Sequence, residues 1–404
     1  MNPYLSDSDV PRGFSFAAAH CGLKRSKLDL GIVLSETPAS AAALFTTNRV
    51  VAAPVIVSRE HLLASKAHMR AAIVNSANAN CCTEKDGRPA SRSTAAAVAK
   101  QLAGVDPSEV IVCSTGVIGG EFRVDKILSA VPSLIKSRRA DAVTFTQFAR
   151  AIMTTDTRPK WASARLKIGG KQVRVLGCAK GSGMIHPNMA TMLSFLVTDA
   201  AISPEMLDRA LRLVAATTFN AITVDGDSST NDTVTLFANG QSGAPPITTE
   251  GAAYKQFCAI LEKVCSSLAY AIVEDGEGAQ RVIEIEIRGA RSDGDARLIG
   301  QTIATSPLVK TAFAGGDPNW GRILAAAGRS GVEFDYQRVD IWLARILVCK
   351  RGREHKFSER VASKKMQAKQ VPVVVDLHAG KGKARILTCD LTQEYVHINA
   401  SYRT

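Results

Sequence analysis

The stretch KGSGMIHPNMATMLSFLVTDA, residues 180–200, sets a threonine where covalent chemistry could be done. Thr191 follows Ala190 at the seam between an approach containing glycines and a proline and an apolar, strand-like run. A threonine hydroxyl is a weak nucleophile until a base takes its proton. One candidate base is His186, but Pro187 intervenes and leaves the backbone direction undefined. The other is the α-amino group of Thr191 itself, which becomes free only if the Ala190–Thr191 bond breaks. The residue types suit such a break. Ala190 leaves the scissile carbonyl unhindered, and Gly181, Gly183 and Pro187 allow a tight approach, strain being worth about 1–3 kcal/mol per unusual backbone site. The hydroxyl would attack its own preceding carbonyl, and water would open the ester. Because the attack is intramolecular, effective molarities of roughly 10⁵–10⁸ M offset the poor nucleophile. The plain alternative is a β-forming threonine at the mouth of a buried strand.

Elements that could position such a site can be read on both sides of it. AAALFTTNRVVAAPVIVS (41–58) and RAAIVNSANANCCT (70–83) each combine a β-branched run with a polar turn. SRSTAAAVAKQLAG (91–104) reads as a helix capped by Ser91 or Ser93 and stopped by Gly104. EVIVCSTGVIGGEF (109–122) is a buried strand entering a glycine-rich turn, and RLKIGGKQVRVLGCAKG (165–181) is a hairpin across Gly169-Gly170. SPEMLDRALRLVAATTF (203–219) carries Ser203 as N-cap, Pro204 at the first helical position and Glu205 in the first turn. Residues 249–273 form a long amphipathic helix, and RVIEIEIRG (281–289) alternates as a half-exposed strand. FAGGDPNWGRILAAAG (313–328) is a glycine-rich loop opening a helix, and the tail is strand-rich with a turn near 380–382. Strands and helices mix without strict βαβ alternation, which predicts an α+β arrangement. No clean linker divides the chain, although composition loosens over 239–251.

With 404 residues, 46% of them apolar and 22% charged, the chain can build a sizeable core. Nine scattered cysteines without a CxxC point to reduced thiols, and seven histidines far from paired cysteines argue against zinc. The start, MNPYLSDSDVPRG, lacks the basic and apolar regions of a signal peptide, and no run of eighteen apolar residues occurs. A cytoplasmic, non-membrane location is therefore expected. The net charge of +13 raises nucleic-acid binding as a rival reading. Its basic clusters KRSK (24–27), KSRR (136–139) and CKRGREHK (349–356) lack interleaved aromatics, so attraction of small anionic substrates or a solvated surface fits better. The GxGxxG, GxxxxGK[ST], GxSxG and HExxH templates are absent. DGDSSTNDT brings Asp225, Asp227 and Asp232 together in sequence, as a cation site would, but a hydroxyl-rich turn network is the better reading.

KGSGMIHPNMATML resembles the signature of the glutamate N-acetyltransferase (ornithine acetyltransferase) family of arginine biosynthesis. So, in family order and over essentially the whole chain, do LFTTNRVVAAPV (44–55), STGVIG (114–119), MTTDT (153–157), ITVDGDSSTNDT (222–233), GEGA (276–279), GGDPNWGRILAA (315–326) and the closing YVHINASYRT. The resemblance implies that Thr191, freed by autocleavage after Ala190, carries the acetyl group, with Thr115 and Gly116 as the oxyanion pair. It implies substrate contacts at Thr154, Lys180, Thr191, Glu277, Asn399 and Thr404. Thr155 and Thr157 offer competing registers to Thr154. The plain alternatives are a strand-ending turn for 113–120, a surface lysine at a strand end for Lys180, and an exposed turn residue for Glu277. Asn399 and Thr404 need the C-terminal tail to be tied down.

The implied reaction moves acetyl from N2-acetyl-L-ornithine to L-glutamate with no metal and no organic cofactor, acetyl-CoA standing as a second donor to be tested. A self-processed threonine amidase or aminopeptidase is the alternative enzyme. The implied fold is α+β: a layered α/β sandwich with two central sheets covered by helices, plus a smaller C-terminal α/β lobe from about 281. The implied products are an α chain (1–190) and a β chain (191–404) that stay together and pair into a heterotetramer. The sequence departs from the family pattern at Ala77, where glycine is expected, at the pair Cys81-Cys82, and slightly within TAFAGG and AAAGRSG.

Overall fold

The computed structural model describes residues 5–83, 85–186 and 192–401. Ala190, Thr191 and Thr404 lie outside the described residues. The first sheet contains β1 (Phe14–Ala19), β2 (Leu30–Phe45), β3 (His68–Asn75), β4 (Val110–Ser114), β5 (Lys160–Ile168), β6 (Lys171–Lys180), β7 (Leu193–Thr198) and β8 (Thr233–Ala238). Its order is β4-β3-β2-β8-β7-β6-β5, with β1 beside β2. The 16-residue β2 joins two layers. Its first half, Leu30–Ser35, pairs with β1 and largely with β3; after a register shift between Leu34 and Ala39, Ser40–Phe45 pair with β8.

The two halves pack face to face. Phe16, Val33, Val74 and Ile111 from one layer share a core with Leu176, Phe195 and Phe237 from the other. Two phenylalanines, Phe145 and Phe148, enter that core edge-on, with centroids 4.8 Å from Phe16 and 5.2 Å from Phe195 respectively. They come from the fourth of six helices: α1 (Ala53–Ala64), α2 (Gly87–Lys100), α3 (Val124–Lys136), α4 (Ala142–Ala151), α5 (Pro204–Thr217) and α6 (Ala252–Glu274). On the outer faces, α2 and α3 cover the β1–β4 layer, and α5 and α6 cover the β5–β8 layer. Among the described helices, α6 alone is long and apolar enough to cross a membrane, and it buries Phe257, Leu261, Val264, Leu268 and Ile272 in this core.

A second sheet begins at Val282. Its strands are β9 (Val282–Ala290), β10 (Asp340–Leu343), β11 (Ile346–Lys350), β12 (Arg353–Glu354), β13 (Gln370–Asp376) and β14 (Gly382–Cys389), in the order β12-β11-β10-β13-β9-β14. Around it lie α7 (Asp293–Ala304), α8 (Pro307–Gly315), α9 (Trp320–Gly328), α10 (Glu359–Met366) and α11 (Gln393–Ser401). The lobe is fused to the sandwich: Leu387, Cys389 and Val282 belong to the α5/α6 core, and Thr223 N–H donates to Leu387 O at 2.9 Å. The architecture is thus α+β, a helix-covered two-layer sandwich with a smaller C-terminal α/β lobe.

Several local readings are corrected. The second part of 41–58 is not a strand but the start of α1, where Pro54 occupies the first turn and Val55, Val57 and His61 are buried. Helix α2 starts at Gly87 behind Asp86, four residues before Ser91. Ser91 sits inside it, donating to Gly87 O at 3.0 Å and accepting from Asn80 Nδ2 at 3.0 Å. A buried partner one turn back took the hydroxyl that would otherwise cap. The tail closes in helix α11 rather than a strand. The hairpin at Gly169-Gly170 and the Ser203 cap of α5 stand as read, with Ser203 Oγ accepting from Met206 N–H at 3.3 Å.

Candidate active site

A cleft of about 130 Å³ opens where β4, β6 and α11 approach the loop 225–231. Thr115, Gly116, Thr154, Lys180, Glu277 and Asn399 all line it. Residues separated by almost 300 positions are therefore brought to one wall. The seam residue Met192 is held nearby, and Thr191 precedes it outside the described residues.

The Thr115–Gly116 turn leaves β4, whose five residues are all buried. Gly116 has φ +132°, and a Cβ there would lie 2.2 Å from the Ala77 carbonyl carbon, so no other residue fits. Its neighbours fix the turn: Thr115 N–H donates to Asn75 O at 3.0 Å and Val117 N–H to Ala77 O at 3.0 Å. The Thr115 hydroxyl lines the cleft without a hydrogen-bond partner among the described residues. A fixed turn with a free hydroxyl can hold donors ready for a developing negative charge.

Lys180, the last residue of β6, is only 3% exposed. Its ammonium lines the cleft and makes no ion pair or hydrogen bond with a described side chain. Burial pushes its pKa down, while Asp156, Asp232 and Glu277 pull it back. The plain reading as a surface lysine is thereby overturned. A buried cation left unpaired in a cleft is costly unless an anion arrives there. Beneath it, Lys160 bridges Asp156 at 2.6 Å and Asp275 at 2.5 Å with no exposed side-chain surface. Asp156 also accepts from Gly181 N–H at 2.7 Å and Thr154 N–H at 3.0 Å, tying both ends of the wall together. Burial opposes ionisation of Asp156, but Lys160 and Lys180 hold its pKa below the ordinary value.

The three threonines of MTTDT separate. Thr154 lines the cleft; Thr155 also reaches it but spends its hydroxyl on Ser182 Oγ at 2.7 Å; Thr157 bonds Asp275. Glu277 is 9% exposed, not an exposed turn residue. Its carboxylate lies against Gly183, where a Cβ would come within 2.4 Å of it, and accepts from Asn399 Nδ2 at 2.8 Å. The tail is tied down as far as it is described: Thr392 Oγ1 donates to Gly278 O at 2.7 Å, and Tyr395 OH reaches Asp225 at 3.4 Å.

The acidic loop does not gather a metal-binding group among the described residues. Asp225 accepts from Met184 and Ile185 N–H at 2.5 and 2.9 Å, and burial raises its pKa to about 6. Asp232 accepts from Met192 N–H at 2.9 Å, and burial raises its pKa well above the usual range, with Lys180 opposing. His186 turns Nδ1 to Thr223 Oγ1 at 3.3 Å, and burial lowers its pKa.

Sequence reasoning missed the supports: Asn231, the Asp156–Lys160–Asp275 chain and Tyr395. Asn231 Nδ2 bonds both Ala79 O at 2.6 Å and Ser114 O at 2.9 Å, clamping the Thr115–Gly116 turn from behind. The unbroken run of small, polar residues in STNDT (229–233) was the available signal, since so polar a run, once buried, must be satisfied internally.

The ArgJ family model matches residues 15–404. The chain is 47% identical over 399 residues to the arginine biosynthesis bifunctional protein ArgJ of Thermotoga neapolitana, covering 98% of this chain and 100% of that one. To the protein of the same name from Geobacter sulfurreducens it is 45% identical over 397 residues, covering 97% and 99%. The crystal structure of the arginine biosynthesis bifunctional protein ArgJ from Bacillus halodurans aligns with a TM-score of 0.51 at 43% identity, covering 52% of this chain and 100% of that chain. The chain belongs to the ArgJ family.

Proposed function

We propose that the chain is an arginine-biosynthesis acetyltransferase that passes acetyl from N2-acetyl-L-ornithine to L-glutamate through an ester on Thr191. Cleavage after Ala190 first frees the Thr191 α-amine. The Thr191 hydroxyl then attacks the acetamide carbonyl while that amine takes its proton. The oxyanion rests on the Thr115 hydroxyl and the Gly116 N–H. The proton passes to the leaving nitrogen, the C–N bond breaks, and ornithine departs. The amine of glutamate attacks the acetyl ester, giving N-acetyl-L-glutamate and restoring the hydroxyl. Such a relay is ping-pong.

The observation that carries this reading is the buried Lys180, in the same cleft as Thr115, neither side chain having a hydrogen-bond partner among the described residues. Donor and acceptor share an α-carboxylate, which a lysine can meet as a point charge. Glu277, held by Asn399, supplies negative charge for amino groups, with Thr154 and Thr404 completing the contacts. The relay consumes no metal or organic cofactor. The bifunctional naming of the relatives supports acetyl-CoA as a second donor to the same threonine. The cleaved chains stay joined, because β6 and β7, on either side of the cut, pair from Val175–Thr198 to Lys180–Leu193; assembly into a heterotetramer in the cytoplasm completes the proposal.

The test is a transfer assay with acetylornithine and acetyl-CoA as rival donors to glutamate. N-acetylglutamate with parallel double-reciprocal plots is expected. Release of acetate alone, with nothing reaching glutamate, would make the chain an amidase.

A further inference from the structure

The proposed maturation leaves one proton without an acceptor. The α-amine of Thr191 can act as base only after the Ala190–Thr191 bond has broken, so the first attack needs another group. His186 has its Nδ1 turned to Thr223. Asp232 is the buried carboxylate bonded next to that bond. It is 1% exposed, and its Oδ1 accepts from the Met192 N–H at 2.9 Å, an amide bonded directly to the Thr191 carbonyl carbon. Met192 is also fixed on its other side, where Thr233 N–H donates to Met192 O at 3.1 Å. The second oxygen, Oδ2, is buried with no hydrogen-bond partner among the described residues. A buried carboxylate oxygen in that state is destabilising, and its retention calls for a reason. The other such atoms among the described residues, Ser35 Oγ and Arg281 Nε, belong to β2 and to the Asp390 ion pair.

We infer that Asp232 is the proton shuttle of self-cleavage, a role that rests on the cut proposed above. Oδ2 takes the hydroxyl proton as the Thr191 oxygen bonds to the Ala190 carbonyl carbon. As the C–N bond breaks, the same proton passes to the departing nitrogen. The products are an ester and a free amine, and Asp232 is again a carboxylate. Water then hydrolyses the ester, leaving the Ala190 carboxylate and the Thr191 hydroxyl, so one peptide bond and one water are consumed in all. In later turnovers the new amine is the base, and Asp232 acts once per molecule. Burial raises the Asp232 pKa well above the usual range, and Lys180, the charged side chain that acts on it among the described residues, pulls it back toward the ionised form.

Freshly translated chain followed on denaturing gels, from about pH 5 to 9, tests the inference. Wild type should be cut and Thr191→Ala should stay whole. Asp232→Asn keeps an acceptor for Met192 N–H but loses the base, so its cleavage should slow by about 10²-fold or more with little change in melting temperature. Asp232→Glu should restore part of the rate. Wild-type cleavage should fall as pH drops below the carboxyl's pKa, and Asp232→Asn should lose that acid limb. Asp232→Asn cutting at the wild-type rate overturns the inference. If that variant does not fold, a wild-type rate flat in pH, or Asp232→Glu cutting without an acid limb, overturns it instead. An uncut wild type, or a cut Thr191→Ala, sinks the underlying cleavage reading rather than the role of Asp232.

Discussion

Asn231 and Asp232 are consecutive residues, yet they hold two distant parts of the chain. The Asn231 amide clamps Ala79 O and Ser114 O, just before the Thr115–Gly116 turn, while the Asp232 carboxylate holds the amide of Met192, just after Thr191. The loop before β8 thus acts as a ruler between the proposed oxyanion donors and the proposed nucleophile. One rigid peptide unit separates the two anchors, so neither wall can drift without the other.

Replacing Asn231 with Leu removes both clamps and leaves two buried carbonyls unsatisfied. Stability should drop by about 2–4 kcal/mol, read as a lower melting temperature. The acetyl-transfer kcat of the surviving folded fraction should also fall, because a misplacement of ~1 Å costs on the order of 10²-fold. A variant that loses stability but keeps full kcat would show that the clamp does not set the site's geometry.

Thr115→Val keeps the shape of the side chain and removes the hydroxyl. Since that hydroxyl bonds no described residue, the fold should be unaffected, and kcat should drop by about 10²–10³. Thr115→Ser should keep most of the rate. Equal loss in Val and Ser variants would assign Thr115 a packing role instead.

Much of this site could be read from the chain, and the reason is local. A β-branched run ending in Thr-Gly can do little but turn, so 110–116 was legible without partners. The burial of Lys180 was not, because a lysine at a strand end looks the same whether it faces water or a cleft. Nor was the Lys160 bridge, since Asp275 lies 115 positions away and only the fold brings them together. The turn of β2 from one layer to the other was hidden for a related cause: the change of partner from β3 to β8 is a tertiary event. The closing helix α11 was misread because its apolar residues follow neither period strongly and its docking on Gly278 and Glu277 decides its form.

Lys180→Met trades function against stability. The wild-type ammonium is buried without an ion pair or hydrogen bond among the described residues, so an apolar side chain of similar length should leave the melting temperature unchanged or higher. Transfer kcat/KM should fall by about 10–10² for both acetylornithine and glutamate, the expected loss of a charged hydrogen bond to a carboxylate. Loss of activity toward only one of them would argue against a shared α-carboxylate site.

Asp225 gives the fold a pH signature. Its pKa is raised to about 6 chiefly by burial, so between about pH 4 and 6 the folded chain keeps a proton that the unfolded chain has released. Stability from this group therefore falls as pH rises through that window and stays lower above it. Asp225→Asn should be more stable than wild type at about pH 8, by roughly 1–2 kcal/mol, and the gain should vanish near pH 4. Melting curves at both values check the sign; a gain that grows toward acid would mean that the carboxylate is stabilised by its surroundings.

Intact-mass spectrometry of the purified protein, before and after incubation with N2-acetylornithine alone, bears most directly on the threonine relay. Two polypeptides of 190 and 214 residues are expected from the 404-residue, 43.0 kDa chain, about 20 and 23 kDa, with the larger one starting at Thr191. The larger should gain about 42 Da, one acetyl group, and lose it when glutamate is added. A single full-length polypeptide that still transfers acetyl, or an acetyl group found on the smaller fragment, would contradict the assignment of Thr191.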